Sequence, residues 1–313
     1  MQSSQAAELP GGSAFRHVRI DWRKKAAAFR LFDRMPAGRQ AYYLAQRYIT
    51  RTIPRNLADH SRWAIEHANT FRTRYEGDCS RARLFEFGAG WDLFNSLVQW
   101  SYGVNEQVLV DIVRWARADQ INHAVQYLRA NPPPGCSRVP ERRVGDGFES
   151  ALSAHFGIHY RAPGDARATG LADGSIDLIC TTSVLEHVPP DALDAIMREC
   201  HRICSARAVI SHVIDYSDHY AHSDPAITFY NFLGFSDREW RRFNPGLHYQ
   251  NRLRHFQYGE LFDRCGFAVV DEKPTSAENA VERLERVRLS EPFRSMDRSE
   301  LLPTTGYWVL RKR

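Results

Sequence analysis

The sequence predicts an α/β fold: a seven-stranded, mostly parallel sheet flanked by helices, preceded by a helical lobe and interrupted by a lid insertion. Three observations carry this. Beyond Arg83, short apolar runs alternate with helical patterns, as in an open parallel sheet. The first run, Leu84-Phe-Glu-Phe-Gly-Ala-Gly90, passes directly into two closely spaced glycines, and Leu93, Phe94, Leu97 and Val98 then repeat at helical spacing. The second run, Val108-Leu109-Val110, ends in Asp111, about twenty residues beyond the glycines.

Composition agrees with a globular chain. Its 313 residues are 43% hydrophobic and 25% charged, with a mean hydropathy of −0.48, enough apolar content for a sizeable core. No apolar run approaches the roughly 20 residues of a membrane-spanning helix, and the first residues lack a basic stretch followed by an apolar one. A cytoplasmic protein without a transmembrane segment is therefore expected. Six scattered cysteines with no C-x-x-C pair suggest neither a zinc cluster nor a disulfide framework. Residues 16–75 hold fourteen Lys/Arg against four Asp/Glu, so a contact with an acidic partner surface would fall there. Only four of the 42 basic residues are lysines and no recognition motif accompanies the charge, so no nucleic-acid partner is expected.

Taken in order, residues 1–14 are small, polar and Gly/Pro-punctuated, which predicts a disordered tail. Residues 15–78 read as the helical N-terminal lobe, with stripes at Ala26/Phe29/Phe32, Tyr43/Leu44/Tyr48 and Trp63/Ile65/His67, divided by Pro36 and Pro54. Within 79–313 the strand candidates are 84–87, 107–112, 157–160, 176–181, 206–214, 267–271 and 306–310. A helix over 191–204 is opened by Pro189-Pro190, with Asp191 as its expected cap. Two segments exceed the needs of such a sheet. Residues 215–256, rich in His, Asp, Tyr, Phe and Asn, are the expected lid, and 275–302 form a charged helical stretch.

Gly88 and Gly90 remove side chains where the chain turns from strand to helix, so a ligand can approach the backbone. A dinucleotide site would want a third glycine at 93, which is Leu, and no Gly-Lys-Ser/Thr phosphate loop occurs. The turn thus points to a nucleoside-containing ligand without phosphates. Asp111 is placed to accept hydrogen bonds from a ribose diol, and Ile112 offers an apolar face to an adenine ring.

These motifs resemble the class I S-adenosylmethionine-dependent methyltransferases. Glu86-Phe-Gly88-Ala-Gly90 is similar to the family's acidic-x-Gly-x-Gly motif, with Asp92 where many members have a third glycine. Asp111 matches the ribose-binding acid, Asp165-Ala166 the pair that contacts adenine, and Leu171–Ile179 the turn and fourth strand, followed by Thr182-Ser-Val-Leu-Glu-His-Val188. The resemblance implies a Rossmann-like sheet whose last strand is antiparallel, S-adenosyl-L-methionine as cofactor, and Glu86 near its methionine moiety. Thr182, at the head of the segment after the fourth strand, is counted with the cofactor contacts. Asp92 either caps the following helix or touches the cofactor's amino group.

Methyl transfer from a sulfonium is an in-line displacement helped by alignment, and a hydroxyl acceptor also profits from a base within reach. The segment His212-Val-Ile-Asp215-Tyr-Ser-Asp218-His219-Tyr-Ala-His222-Ser-Asp224 offers candidates. If the fifth strand runs to about Ile214, His212 and Asp215 emerge at the sheet's edge beside the sulfonium. His219 is the first choice for base, then His212 and His187, with Asp215 orienting the ring. A metal held by Asp215, Asp218, His219, His222 and Asp224 is chemically open, but without a recognised ligand spacing none is expected. The aromatic stretch from Ile227 to Trp240, with Asn231, Asp237 and Arg238, and the polar run His248 to Arg252 favour a polyhydroxylated acceptor. The expected activity is O-methylation of a polar small molecule or glycan. Its rivals are N- or C-methylation of a small metabolite, and a non-catalytic cofactor-binding protein that docks through its basic lobe. The absence of an Asn/Asp-Pro-Pro-Tyr/Phe motif, where Thr181-Thr-Ser-Val stands, counts against methylation of nucleic-acid adenine.

Overall fold

The computed structural model describes residues 19–313, so the expected tail, 1–14, lies outside the described residues. Three helices come first: α1 (Trp22–Arg34), α2 (Gly38–Leu44) and α3 (Leu57–Arg74). Next come β1 (Arg83–Phe87), α4 (Phe94–Ser101), β2 (Glu106–Val110), α5 (Ala118–Ala130), α6 (Phe148–Phe156), β3 (Ile158–Arg161), β4 (Ile176–Thr182), α7 (Pro190–Ile203) and β5 (Cys204–Asp215). After a lid with one short α-helix, α8 (Asp237–Trp240), and three 3-10 turns, the chain forms α9 (His255–Arg264), β6 (Phe267–Ser276), α10 (Ala280–Glu285), α11 (Arg298–Leu301) and β7 (Pro303–Lys312).

The strands form one sheet in the order β3-β2-β1-β4-β5-β7-β6. All pairings from β3 to β5 are parallel, and β7 runs antiparallel to both β5 and β6. The last strand is thus antiparallel, as expected, and it sits inside the sheet with β6 at the edge. The inner strands are continuous apolar runs because helices cover both faces. On one face Phe85, Ile179 and Ile210 pack with Met197 of α7 and Phe262 of α9; on the other, Leu109 and Ile158 meet Leu97, Ile121 and Leu152. The strand order reverses between β1 and β4, and the crevice at their carboxyl ends is where such sheets bind ligands.

The N-terminal helices share their cores with the sheet and the lid. α3 lies on the sheet, where the His67 Nδ1 atom is 2.6 Å from Ser211 Oγ and its Nε2 3.1 Å from Thr182 Oγ1. Tyr307 Oη is the hub of the same chain of hydrogen bonds, 2.6 Å from Thr70 and 2.8 Å from Ser211. Burial pushes His67 down to about 3, so its ring is neutral and both nitrogens serve the hydroxyls. α1 packs elsewhere: Trp22, Ala26 and Phe29 join Tyr220, Tyr230, Phe232 and Trp240 of the lid and Leu284, Phe293 and Leu301 from 275–302. The lid therefore draws its core from distant segments.

Several local expectations change. The aromatics Tyr230, Phe232 and Trp240 are core rather than a sugar-stacking face. Asp191 does not cap α7, whose N-cap is Pro189 without a side-chain hydrogen bond. The stretch 275–302 holds only short helices, while β6 extends to Ser276.

Gly157 ends α6 at φ +61°, and a Cβ there would meet the Asn105 carbonyl oxygen at 1.8 Å. Gly157→Ala should lower stability by on the order of 2 kcal/mol or more, combining left-handed strain with a backbone clash. The urea-unfolding midpoint measures it, and an unchanged midpoint contradicts the packing described.

Candidate active site

The cofactor motif lies at the crevice between β1 and β4. Gly88 takes φ +72°, and a Cβ on it would fall 2.6 Å from Val184, so this turn tolerates no side chain. Gly90 takes φ +76°, and a Cβ there would meet nothing within 4 Å, leaving open backbone for a ligand. Asp111 stands beside this turn and is 3% exposed. Its carboxylate receives the Tyr160 hydroxyl at 3.0 Å and lies near the backbone N–H groups of Ala89 and Gly90. The Tyr160 hydroxyl takes one of its lone-pair positions, and the carboxylate keeps capacity to accept from a ribose hydroxyl. Burial, aided by the charge of Glu86, pushes its carboxyl up to about 7 despite these donors.

Ile112 comes next, 71% exposed, an isolated apolar side chain suited to an adenine ring. The Asp165 loop is tied to the same place by a hydrogen bond from Gly164 N–H to the Asp111 carbonyl at 2.8 Å. Ala166 is buried, and Asp165 pairs with Arg167 at 2.7 Å. The open Gly90 backbone, the buried acid and the exposed Ile112 together fit a nucleoside.

Three motif residues are committed inside the protein. Glu86 is buried, accepting from Asn95 Nδ2 at 2.9 Å and from the Ser96 hydroxyl, so it anchors the start of α4. Thr182 is held by His67. Asp92 accepts the Phe94 N–H at 3.0 Å and is gripped by Arg55, whose Nε and Nη2 lie 2.6 and 2.7 Å from its two oxygens. Its carboxylate thus braces the first turn of α4 and fastens the chain ahead of α3 to the glycine turn, a bidentate geometry suited to guanidinium. Arg55 carries no signal in the sequence that would mark it among fourteen basic residues of that stretch.

The histidines fall into two groups. His212 does not emerge at the sheet's edge: it lies inside the sheet's packing, fully buried, with Nδ1 2.8 Å from Thr181 Oγ1 and its ring stacked on Phe262. Burial pushes it down to about 3, and it has no access to an acceptor. It is therefore removed from the base candidates. Asp215, three residues on, does reach the carboxyl edge of β5. Its Oδ2 lies 3.3 Å from His219 Nε2 and 3.5 Å from His222 Nε2, while Oδ1 accepts the Ser217 N–H and hydroxyl at 2.8 and 2.6 Å. Burial opposes ionisation of Asp215, yet the two neighbouring imidazoles and the Ser217 donors outweigh it and hold the carboxyl below the usual range.

His187 joins this group from the turn after β4, its ring centroid 4.9 Å from that of His219. Its Nδ1 is 2.7 Å from the Tyr249 carbonyl oxygen. Since a carbonyl only accepts, Nδ1 carries the proton and Nε2 is left with a free lone pair on a ring that reaches the surface. Desolvation by its surroundings, with His219 beside it, pushes His187 down to about 4, so the resting ring is neutral. Asn251 fixes the turn, its backbone N–H donating to Glu186 O at 2.7 Å and its Nδ2 to Leu185 O and Val188 O, both at 2.9 Å. Gln250 donates to the Ser217 carbonyl and accepts the His219 N–H at 3.2 Å. The polar run around 250 is thus a scaffold for the histidines and not an acceptor surface. Asp218 and Asp224 also turn away, Asp218 accepting from Asn231 at 2.9 Å and Asp224 from the Trp22 N–H at 2.9 Å. A cleft of about 520 Å³ lies between the α1–α2 junction and Trp91, Val113 and Trp115, residues that closely follow Gly90 and Ile112 in the chain.

The family model described as "Methyltransferase domain" matches residues 149–211. No curated protein sequence matches the chain. Among solved structures, geranyl diphosphate C-methyltransferase from Streptomyces coelicolor is 10% identical, covering 82% of each chain at a TM-score of 0.48. PH0226 protein from Pyrococcus horikoshii is 14% identical over 87% of this chain and 99% of its own, at 0.47. A SAM-dependent methyltransferase from Methanosarcina mazei is 13% identical over 77% and 96%, at 0.41.

Two outcomes test the cofactor half. With Asp111 as the ribose acceptor, affinity for the cofactor, measured by calorimetry, should rise as pH climbs toward about 7, by up to tenfold per unit, as the carboxyl ionises. Asp111→Asn should bind weakly with a flat profile, and a pH-dependent profile in that variant contradicts the assignment. Arg55→Ala leaves the buried Asp92 without its partner and should cost about 1–3 kcal/mol of stability. Thermal unfolding of the variant against wild type checks this.

Proposed function

We propose that this chain, a class I S-adenosylmethionine-dependent methyltransferase by its strand order and its family-model match, methylates a hydroxyl oxygen of a polar small molecule or glycan. The observation that carries the reading is the His187–His219–Asp215 group at the carboxyl ends of β4 and β5, next to the crevice where the cofactor motif lies. When bound, S-adenosylmethionine supplies an electrophilic methyl group on a cationic sulfur, which leaves as a neutral thioether.

The protein's own residues do the rest. Asp111, Ile112 and the Gly88–Gly90 turn hold the nucleoside at the crevice. Nε2 of His187, its lone pair kept free by the Tyr249 hydrogen bond on the other nitrogen, takes the proton from an acceptor hydroxyl as its oxygen bonds to the methyl carbon. The resulting imidazolium lies next to His219 and the ionised Asp215, whose charge favours it. His187 thus moves ahead of His219 as the accepting base, and His219 becomes the ring that links it to Asp215. An amine acceptor would need no such group, since it only has to be uncharged.

Methyl-labelled cofactor incubated with cell extract should label a polar, alkali-stable ether fraction; label confined to amines contradicts oxygen transfer. His187→Ala should lower kcat by about 10²–10⁴-fold with cofactor affinity unchanged. His212→Ala should instead lower stability. Full turnover in His187→Ala removes this ring as the base.

A further inference from the structure

Resting on the same reading of where the acceptor sits, we infer that Asp215, His219 and His222 form a binding site for one divalent transition-metal ion, bordered on its inner side by Glu186. The sequence pattern alone did not single out this set. Of the five residues named as chemically open to a metal, Asp218 and Asp224 are spent on Asn231 and Trp22, and only Asp215, His219 and His222 converge.

The spacing is that of ligands. One donor atom from each of the three lies within 4.8 Å of the other two. Asp215 Oδ2 is 3.3 and 3.5 Å from the two Nε2 atoms. Two donors bound at about 2.1 Å to a common ion stand roughly 3.0–3.4 Å apart, depending on the ligand–metal–ligand angle. The alternative, a hydrogen bond from His219 to Asp215, is poorly made: His219 Nε2 is buried without a hydrogen-bond partner although Asp215 is so close. Nitrogen and oxygen are near each other, yet the nitrogen does not aim a proton at the carboxylate.

Glu186 adds an independent sign. It is 1% exposed, and its Oε2 has no partner. One of its carboxylate oxygens lies within 4.8 Å of donor nitrogens of His187 and His219. Its unsatisfied oxygen, beside the Asp215 residue whose N–H lies 3.3 Å from the other Glu186 oxygen, is a buried polar atom that a cation between the two side chains would satisfy. Two imidazoles and a carboxylate select zinc, manganese, iron or cobalt over magnesium or calcium, which prefer all-oxygen shells. The ion would lie next to His187 and lower the proton affinity of the acceptor hydroxyl that His187 deprotonates, taking over the role that the bare Asp215 charge plays in the metal-free site.

The test uses the full chain, stripped with chelator and dialysed, then titrated with Co²⁺ and followed by its visible absorption, with Zn²⁺ as competitor. Wild type should bind one ion per chain and show the absorption bands of a mixed nitrogen–oxygen site. His222→Ala and Asp215→Asn should weaken Co²⁺ at least tenfold, whereas His159→Ala, on the exposed side of β3, should not. Circular dichroism and cofactor affinity check that the variants are folded. Zn²⁺ should also raise the melting temperature of wild type but not of His222→Ala. Co²⁺ binding by wild type no tighter than by folded His222→Ala overturns the site. Methyl transfer at full rate by metal-free protein also overturns the role given to the ion, leaving the methyltransferase reading intact. Metal binding without transfer to any hydroxyl acceptor does the reverse.

Discussion

Two carboxylates, Glu186 and Asp215, meet at the carboxyl edge of the sheet, and the surrounding structure is arranged to make that tolerable. Glu186 is almost wholly removed from water and Asp215 is largely so. Uncompensated charges in such a place would be costly, so donors must be brought to them. Ser217 at the start of the lid donates to Asp215, the His219 and His222 rings stand 3.3 and 3.5 Å from it, and the Asp215 N–H turns toward Glu186 at 3.3 Å. The lid in turn is fastened by Gln250 and Asn251. The histidine group is therefore a consequence of where β5 ends.

That end point depends on register. β5 pairs with β4 on one side and with β7 on the other, so Ser211 and His212 lie in the sheet interior and Asp215 opposes Thr305 at its edge. A shift by one residue would exchange the faces of every side chain in the strand. The same pairing gives α3 its seat, because Ser211 and Tyr307 meet His67 and Thr70 across it. Through the chain preceding α3, the Arg55–Asp92 pair then links this region to the glycine turn.

Much of the strand-and-turn framework around the glycines was legible in the sequence because its signals are local. A strand entering Gly88 and Gly90, or ending in Asp111, is specified by neighbours in the chain and by the period of apolar residues. The departures arise from contacts between side chains that the linear pattern does not encode. Glu86 was expected near the methionine moiety, yet Asn95 and Ser96 claim both of its oxygens. His212 was expected at an edge that β5 reaches only three residues later. The aromatic lid was read as a sugar platform because its composition suits one, but Trp22 and Phe29 of α1 cover those rings.

By itself the sequence determined the alternation of strand and helix, the order of the cofactor motifs and the crevice at which they gather. Backbone period, glycine conformation and the acid at a strand end are properties of short segments. Only the tertiary structure decided which of the histidines share a site. His187, His219 and His222 come from two segments joined through Tyr249, Gln250 and Asn251, and no spacing along the chain encodes that meeting. Burial, which withdraws His212 and leaves His187 facing outward, is a property of the packed whole.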